Sequence, residues 1–156
     1  MKLFSILLAC ACLSGCKMTP ISYQPADINK EDLAYLYTKE LSFTEAGIQA
    51  YIAAVYDESD KLIIGTTSPF TLEQSRWSKV YLPEGKYKIV AECISGNTNA
   101  YPRAYIQIEK SAKYNFKCNA NESKDIFGLS WIDSMGLVVE KVSGSNNITS
   151  ILKSDS

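Results

Sequence analysis

Apolar and polar positions alternate along most of this chain with a period of two, the signature of strands with one buried face. The clearest stretch is Lys86 to Cys93: Tyr87, Ile89, Ala91 and Cys93 face one way and Lys86, Lys88 and Glu92 the other, with Val90 the exception. Ala104, Ile106 and Ile108 alternate with Tyr105, Gln107 and Glu109, and Tyr114, Phe116 and Cys118 alternate with Lys113, Asn115 and Lys117. Leu33 to Thr38 reads as a strand carrying Tyr35 and Tyr37 at alternate positions. Ile48 to Tyr56 is apolar on both faces, as a central strand is, although its alanines and the Thr44-Glu45 start also suit a helix. The polar turn Asp57-Glu58-Ser59-Asp60 then predicts a hairpin into Lys61 to Gly65. Arg76 to Leu82 reads as the next strand. Pro83-Glu84-Gly85 behind it has turn chemistry, which predicts a second hairpin into Lys86 to Cys93. Ser95-Gly96-Asn97-Thr98-Asn99 is a loop, Asn119 to Asp125 is polar, and Leu129 to Ile132 pairs with Leu137 to Val142 around Asp133-Ser134-Met135-Gly136. Seven to nine short strands between regular turns predict an all-β fold, a single antiparallel β-sandwich.

One apolar run does not alternate. Leu3 to Leu13 follows Lys2 and holds 11 residues with a single Ser, too few to span a bilayer and the right length for a secretory signal peptide. It closes on Leu13-Ser14-Gly15-Cys16, which resembles the lipobox of bacterial lipoproteins. The resemblance implies a leader over residues 1–15 and a thioether between Cys16 and diacylglycerol. It also implies that Cys16 becomes the first mature residue, often with an acylated amine. The other reading is an ordinary leader whose cleavage region contains a cysteine. Each buried methylene contributes about 0.8 kcal/mol, so two or three acyl chains would hold the chain on a membrane where one would not. Lys17 stands where Gram-negative lipoproteins kept at the inner membrane carry Asp. By that rule the address is the outer membrane, facing the periplasm.

Residues 16–31, with Pro20 and Pro25, read as a tether of at most about 50 Å when extended. The sandwich then occupies residues 32–143, and the Ser/Asn-rich residues 144–156 read as a flexible tail.

Once Cys10 and Cys12 have left with the leader and lipid has consumed Cys16, Cys93 and Cys118 remain, an even pair in an oxidising compartment. They form either a disulfide closing a loop of about 25 residues, worth roughly 3 kcal/mol, or two separate buried thiols. If Ala104 to Ile108 lies antiparallel between the two cysteine strands, both cysteines fall at one end of the sheet. The intervening strand would then hold their backbones about 9–10 Å apart.

Val80-Tyr81-Leu82-Pro83-Glu84-Gly85-Lys86-Tyr87-Lys88-Ile89 resembles the leucine-proline-x-glycine-x-tyrosine hairpin of transthyretin-like and carboxypeptidase-regulatory-like β-sandwiches. Small bacterial lipoproteins carry the same hairpin. The resemblance implies the fold over Leu33 to Val142 and carries over no catalytic residue.

Composition narrows the chemistry. The chain has no histidine, which removes the commonest general base and metal ligand and any Ser-His-Asp or Cys-His system. The only Ser-x-x-Lys of the mature chain, Ser150 to Lys153, falls in the tail. No glycine-rich phosphate loop occurs, no cofactor is implied, and zinc lacks free thiols. A net charge of −1 with no basic stripe argues against nucleic acid as a partner. Asp57, Glu58 and Asp60 could hold Ca²⁺, without the spacing of an EF-hand, or form a solvated turn. Trp77, Tyr101 and Tyr105 fall on faces that otherwise look polar and, with Asn97 and Asn99, are the candidate binding residues. The first functional expectation is a non-catalytic lipoprotein that binds another envelope or secretion component. The alternatives are an inhibitor or immunity-type protein that plugs a wall hydrolase with the Ser95 to Pro102 loop, and a glycan hydrolase.

Overall fold

A computed structural model describes residues 21–41, 47–65, 76–124, 126–127, 130–142 and 148–154. Cys16 and the expected leader lie outside the described residues. Among the described residues the strands are β1 (Ile21–Ser22), β2 (Ala34–Thr38), β3 (Gln49–Tyr56), β4 (Leu62–Gly65), β5 (Lys79–Leu82), β6 (Gly85–Ser95), β7 (Thr98–Ala100), β8 (Arg103–Ile108), β9 (Lys113–Lys124), β10 (Ser130–Val142) and β11 (Ile148–Ser154). They form two sheets packed face to face, the all-β sandwich that the alternation predicts. One sheet has the order β1-β5-β2-β9-β10-β11. The other has β4-β3-β6, with β7 and β8 taking successive halves of the long β6 edge. Most pairs are antiparallel; β1 with β5 and β2 with β9 are parallel.

Alternation decides which side chains fill the space between the sheets. Leu36, Val80, Leu82, Tyr114, Phe116, Leu137 and Val139 come from the first sheet and Ile52, Val55, Tyr87, Ile89, Ala91, Ile106 and Ile108 from the second. The outer face of the first sheet carries a tyrosine stack. Tyr35 lies 5.4 Å from Tyr37 and 5.1 Å from its cross-strand neighbour Tyr81, ring centre to ring centre. Burial, and then the neighbouring phenols, push the Tyr35 hydroxyl above its ordinary pKa.

The β3–β4 hairpin forms as expected, around Asp57 to Lys61. Gly65 ends it at φ 107°, and a Cβ there would stand 2.5 Å from the Ala53 carbonyl oxygen, so no other residue fits without moving backbone.

The fold corrects several expectations. Pro83-Glu84-Gly85 does not turn a hairpin: β5 pairs with β2 in one sheet and β6 with β3 in the other, so the segment is a corner between sheets. A period of two reveals which face a residue takes but not which strand lies alongside. For the same reason Ala104 to Ile108 does not sit between the cysteine strands; β8 pairs with β6, while β9 pairs with β2 and β10. Arg76 to Leu82 is not one strand: Trp77 bridges Ile52 of the second sheet, and the chain then crosses to become β5 of the first. Asn119 to Lys124 and Asp133 to Gly136 do not interrupt pairing. β9 and β10 continue through them as one long ladder with a bulge between Ile132 and Ser134. At the termini, Ile148–Ser154 is a paired strand where a flexible tail is expected. Part of the expected tether belongs to the domain, because β1 pairs with β5 and Tyr23 packs on the core.

Candidate functional site

Three strands of the second sheet place Tyr56, Lys88 and Tyr105 in one row across its outer face: Tyr56 of β3 is opposite Lys88 of β6, which is opposite Tyr105 of β8. The Lys88 ammonium lies 4.3 Å from the centre of the Tyr56 ring, within cation–π range. Tyr105 is 68 % exposed. Beside this row an open groove of about 280 Å³ runs between the Asp57–Lys61 turn and β8, lined by Asp57, Glu58, Asp60, Lys86, Tyr87, Lys88, Tyr105, Ile106 and Gln107.

The turn is built by its own first residue. The Asp57 Oδ1 atom accepts from the Ser59 amide at 2.9 Å, the Ser59 hydroxyl at 2.7 Å and the Lys61 amide at 3.0 Å. Those donors, the Ser59 hydroxyl foremost, hold the Asp57 carboxyl below the usual aspartate range. The carboxylate of Glu58 accepts from Lys86 at 3.1 Å, and Asp60 accepts from Lys88, whose ammonium this hydrogen bond holds above the ordinary lysine pKa. Each of the three carboxylates, read from the sequence as a solvated turn or a Ca²⁺ site, is thus engaged by a lysine or by the turn. Among the described residues no group of three acidic or thiol side chains could hold a metal ion. Burial, with smaller effects from Tyr23 and Asp57, pushes the Tyr87 phenol up to about 12, so the wall it contributes stays neutral.

The predicted binding residues do not form one surface. Tyr105 stands on the groove as an exposed side chain, in agreement with its place on a polar face. Asn97 and Asn99 are exposed near the β6–β7 turn, at the far end of β6. That turn is two residues long with Gly96 at φ 56°, so the expected loop from Ser95 to Pro102 is a tight hairpin. Trp77 is half-buried and packs against the core, held by reciprocal backbone hydrogen bonds to Ile52 of 2.8 and 3.1 Å. Tyr101 is also half-buried, and its hydroxyl donates to Glu92 Oε1 at 3.1 Å.

That last contact belongs to a cluster absent from the sequence reading. Glu92 is fully buried on the outer face of β6, and Arg76 grips it with two bonds, Nε to Oε2 at 2.6 Å and Nη2 to Oε1 at 2.8 Å. The guanidinium also lies 5.8 Å from the centre of the Tyr51 ring. The signal was Val90. An apolar residue on the polar face of β6 marks where that face is covered, and both Val90 and Glu92 are buried there.

Cys93 and Cys118 face each other across the sandwich at disulfide distance, with Cα atoms 5.8 Å apart. They do lie at one end of the fold, as expected, but on opposite sheets, so no strand intervenes. No family model matches the chain, and neither a curated relative nor a solved structure matches it. No helix among the described residues is long and apolar enough to cross a membrane.

Proposed function

We propose that this protein is a lipid-anchored envelope module that binds another envelope protein through the groove beside Tyr105, without turnover chemistry. One observation carries the reading: a large, exposed aromatic side chain stands on a rigid sheet beside a concave, mixed-charge surface. Aromatic anchors of this kind dominate binding energy at protein interfaces. The neighbouring lysines and carboxylates neutralise one another, which suits a polar rim and leaves no acid/base pair poised for hydrolysis. The lipobox resemblance of Leu13-Ser14-Gly15-Cys16 supplies the address.

A photo-crosslinking residue at position 105 in the native envelope is expected to capture a partner protein. Tyr105→Ala should weaken that partner's binding about 30-fold or more, the effect of losing one anchor, with an unchanged melting temperature. Unaltered capture by Tyr105→Ala, or multiple turnovers on a wall glycan, would overturn the binding reading. The address has its own test. Cys16→Ala is expected to release the protein from membranes into a carbonate wash, and retention there would show that something other than acyl chains holds it.

A further inference from the structure

β8 is an edge of the second sheet: among the described residues its one ladder partner is β6. β11, at the edge of the first sheet, comes near β8 but forms no ladder with it. The register tells which backbone groups this leaves over. The Ala91 amide donates to the Pro102 carbonyl at 3.0 Å, which marks those two residues as a hydrogen-bonded pair. Such pairs alternate in an antiparallel ladder, so Ala104, Ile106 and Ile108 direct their N–H and C=O groups at Ile89, Tyr87 and Gly85. The N–H and C=O groups of Arg103, Tyr105 and Gln107 therefore point away from β6, and among the described residues no other backbone takes them. The row ends at Glu109, whose amide donates to the Tyr114 hydroxyl at 3.0 Å.

The protections common on edge strands are missing from β8. No proline or bulge interrupts Arg103 to Ile108, and its inward residues, Ala104, Ile106 and Ile108, are apolar and buried. The side chains of Arg103, Tyr105 and Gln107 are all exposed. An exposed row of unpaired backbone groups is a template for another strand.

This row is matched to itself. Three residues with Tyr105 in the middle pair completely with an antiparallel copy when Tyr105 meets Tyr105. Arg103 then stands opposite Gln107 of the second copy, and Gln107 opposite its Arg103. Sliding one copy by two residues loses a hydrogen-bonded pair, and sliding it by four in one direction sets Arg103 against Arg103. Charge agrees with the centred register. Among the described residues Arg103 has no ion pair of its own. Glu109 of the second copy would lie diagonally across from it, within reach of a long side chain. Glu109 gives Oε2 to Lys141 and keeps Oε1 for a second cation.

We infer that two copies of this chain join edge to edge along β8, antiparallel and centred on Tyr105, so that one sheet continues across a two-fold axis. The axis is normal to the sheet, so both copies show their grooves on the same side, and the two Tyr105 side chains meet between them. The pairing uses the β8 backbone and goes beyond the binding reading without resting on it.

The test uses the full mature chain, purified in detergent, with single cysteines introduced and the unsubstituted chain as background. Opposed hydrogen-bonded residues have Cα atoms about 5.5 Å apart, inside disulfide range. Tyr105→Cys is expected to form an interchain disulfide under mild oxidation, and Lys79→Cys, exposed on β5, is not. Arg103→Cys and Gln107→Cys should not link alone, since like positions lie about 14 Å apart, and should link when the two are mixed. In sedimentation, Gln107→Lys sets a lysine against Arg103 and should weaken the dimer about tenfold, because the change counts twice about the axis. Gln107→Glu should tighten it. Linking at 105 no faster than at 79 overturns the pairing. So does linking of Arg103→Cys to itself, or a dimer that ignores both charge changes. Capture of an envelope protein by a crosslinker at 105 without any second copy overturns the pairing and leaves the binding reading standing. Self-linking with no envelope protein captured supports the pairing and counts against the binding reading alone.

Discussion

Replacing Arg76 with alanine is expected to cost about 3 kcal/mol of stability, among the largest effects of any single substitution on this surface. The substitution leaves a carboxylate of zero exposure without its cation. The figure stays at the low end of the range for broken buried pairs because the Arg76 side chain is itself 34 % exposed, so water can follow it in. For a domain of this size the melting temperature should fall by roughly 10 °C. Tyr101→Phe removes one hydrogen bond to the same carboxylate and should cost about 1.5 kcal/mol. If the two losses are measured singly and together, their sum should differ from the double variant, because both partners serve the Glu92 Oε1 atom. Glu92→Leu combined with Arg76→Met should recover most of the loss, since a buried ion pair is no better than well-packed apolar side chains. Melting curves that coincide for Arg76→Ala and the parent would refute the account. The same cluster changes how the β6–β7 hairpin can be manipulated. Exchanging Asn97 to Tyr101 for a Gly/Ser segment would remove Tyr101 and destabilise the domain, so Asn97 and Asn99 must be varied singly.

What could be read from the sequence was local. Tyr87, Ile89, Ala91 and Cys93 are buried and Lys86 and Lys88 face out, as their spacing requires, because the pleat of a strand enforces it. The Asp57–Lys61 turn formed for reasons its residues carry by themselves. Neighbours in space were not legible. Leu82 and Tyr87 alternate equally well in one sheet or two, and only the packing of complete faces puts β5 beside β2 and β6 beside β3. The polar stretch from Asn119 to Lys124 has no apolar alternation, so nothing in its residues announces a strand. Backbone pairing with β10 makes it a strand, helped by side-chain hydrogen bonds from Asn121 to Ser134 and from Ser123 to Asp133, and among the described side chains burial enters only near its base, at Met135 of β10. The candidate site follows this division: Tyr105 is exposed on its own strand as its polar face predicts, whereas Tyr101 is half-buried on Glu92 and Trp77 on the core, contacts with other strands that their own spacing does not reveal.

The groove and the Glu92 cluster occupy the same outer face of β6, one toward each end, and they illustrate how that face is divided. Lys88 stands in a row with two tyrosines, one of them open to solvent. Two positions further along, Val90 is covered, and two beyond that the carboxylate of Glu92 is sealed beneath Arg76 and Tyr101. The covered half anchors the segment that crosses between sheets at Trp77, and the open half leaves the Tyr105 side chain exposed.

The second large effect is expected at the cysteines. Non-reducing peptide mapping of the mature protein should recover Cys93 and Cys118 in one linked pair, since their Cα separation of 5.8 Å lies in the ordinary disulfide range. A bridge spanning 25 residues restricts the unfolded chain by about 3.5 kcal/mol. Cys93→Ala with Cys118→Ala should lower stability by that amount in denaturant unfolding, with little change in the slope of the transition if the native fold is kept. The effect has a direction in space as well. Cys118 is the residue of β9 past which, among the described residues, β9 and β10 pair only with each other, and the bridge ties that point to β6 of the facing sheet. Amide exchange should therefore quicken more in Asn119 to Lys124 than in Lys86 to Ile89, at the other end of the core. Free thiols at both positions under oxidising conditions, or a double variant as stable as the parent, would mean that packing alone holds the two sheets together at this end.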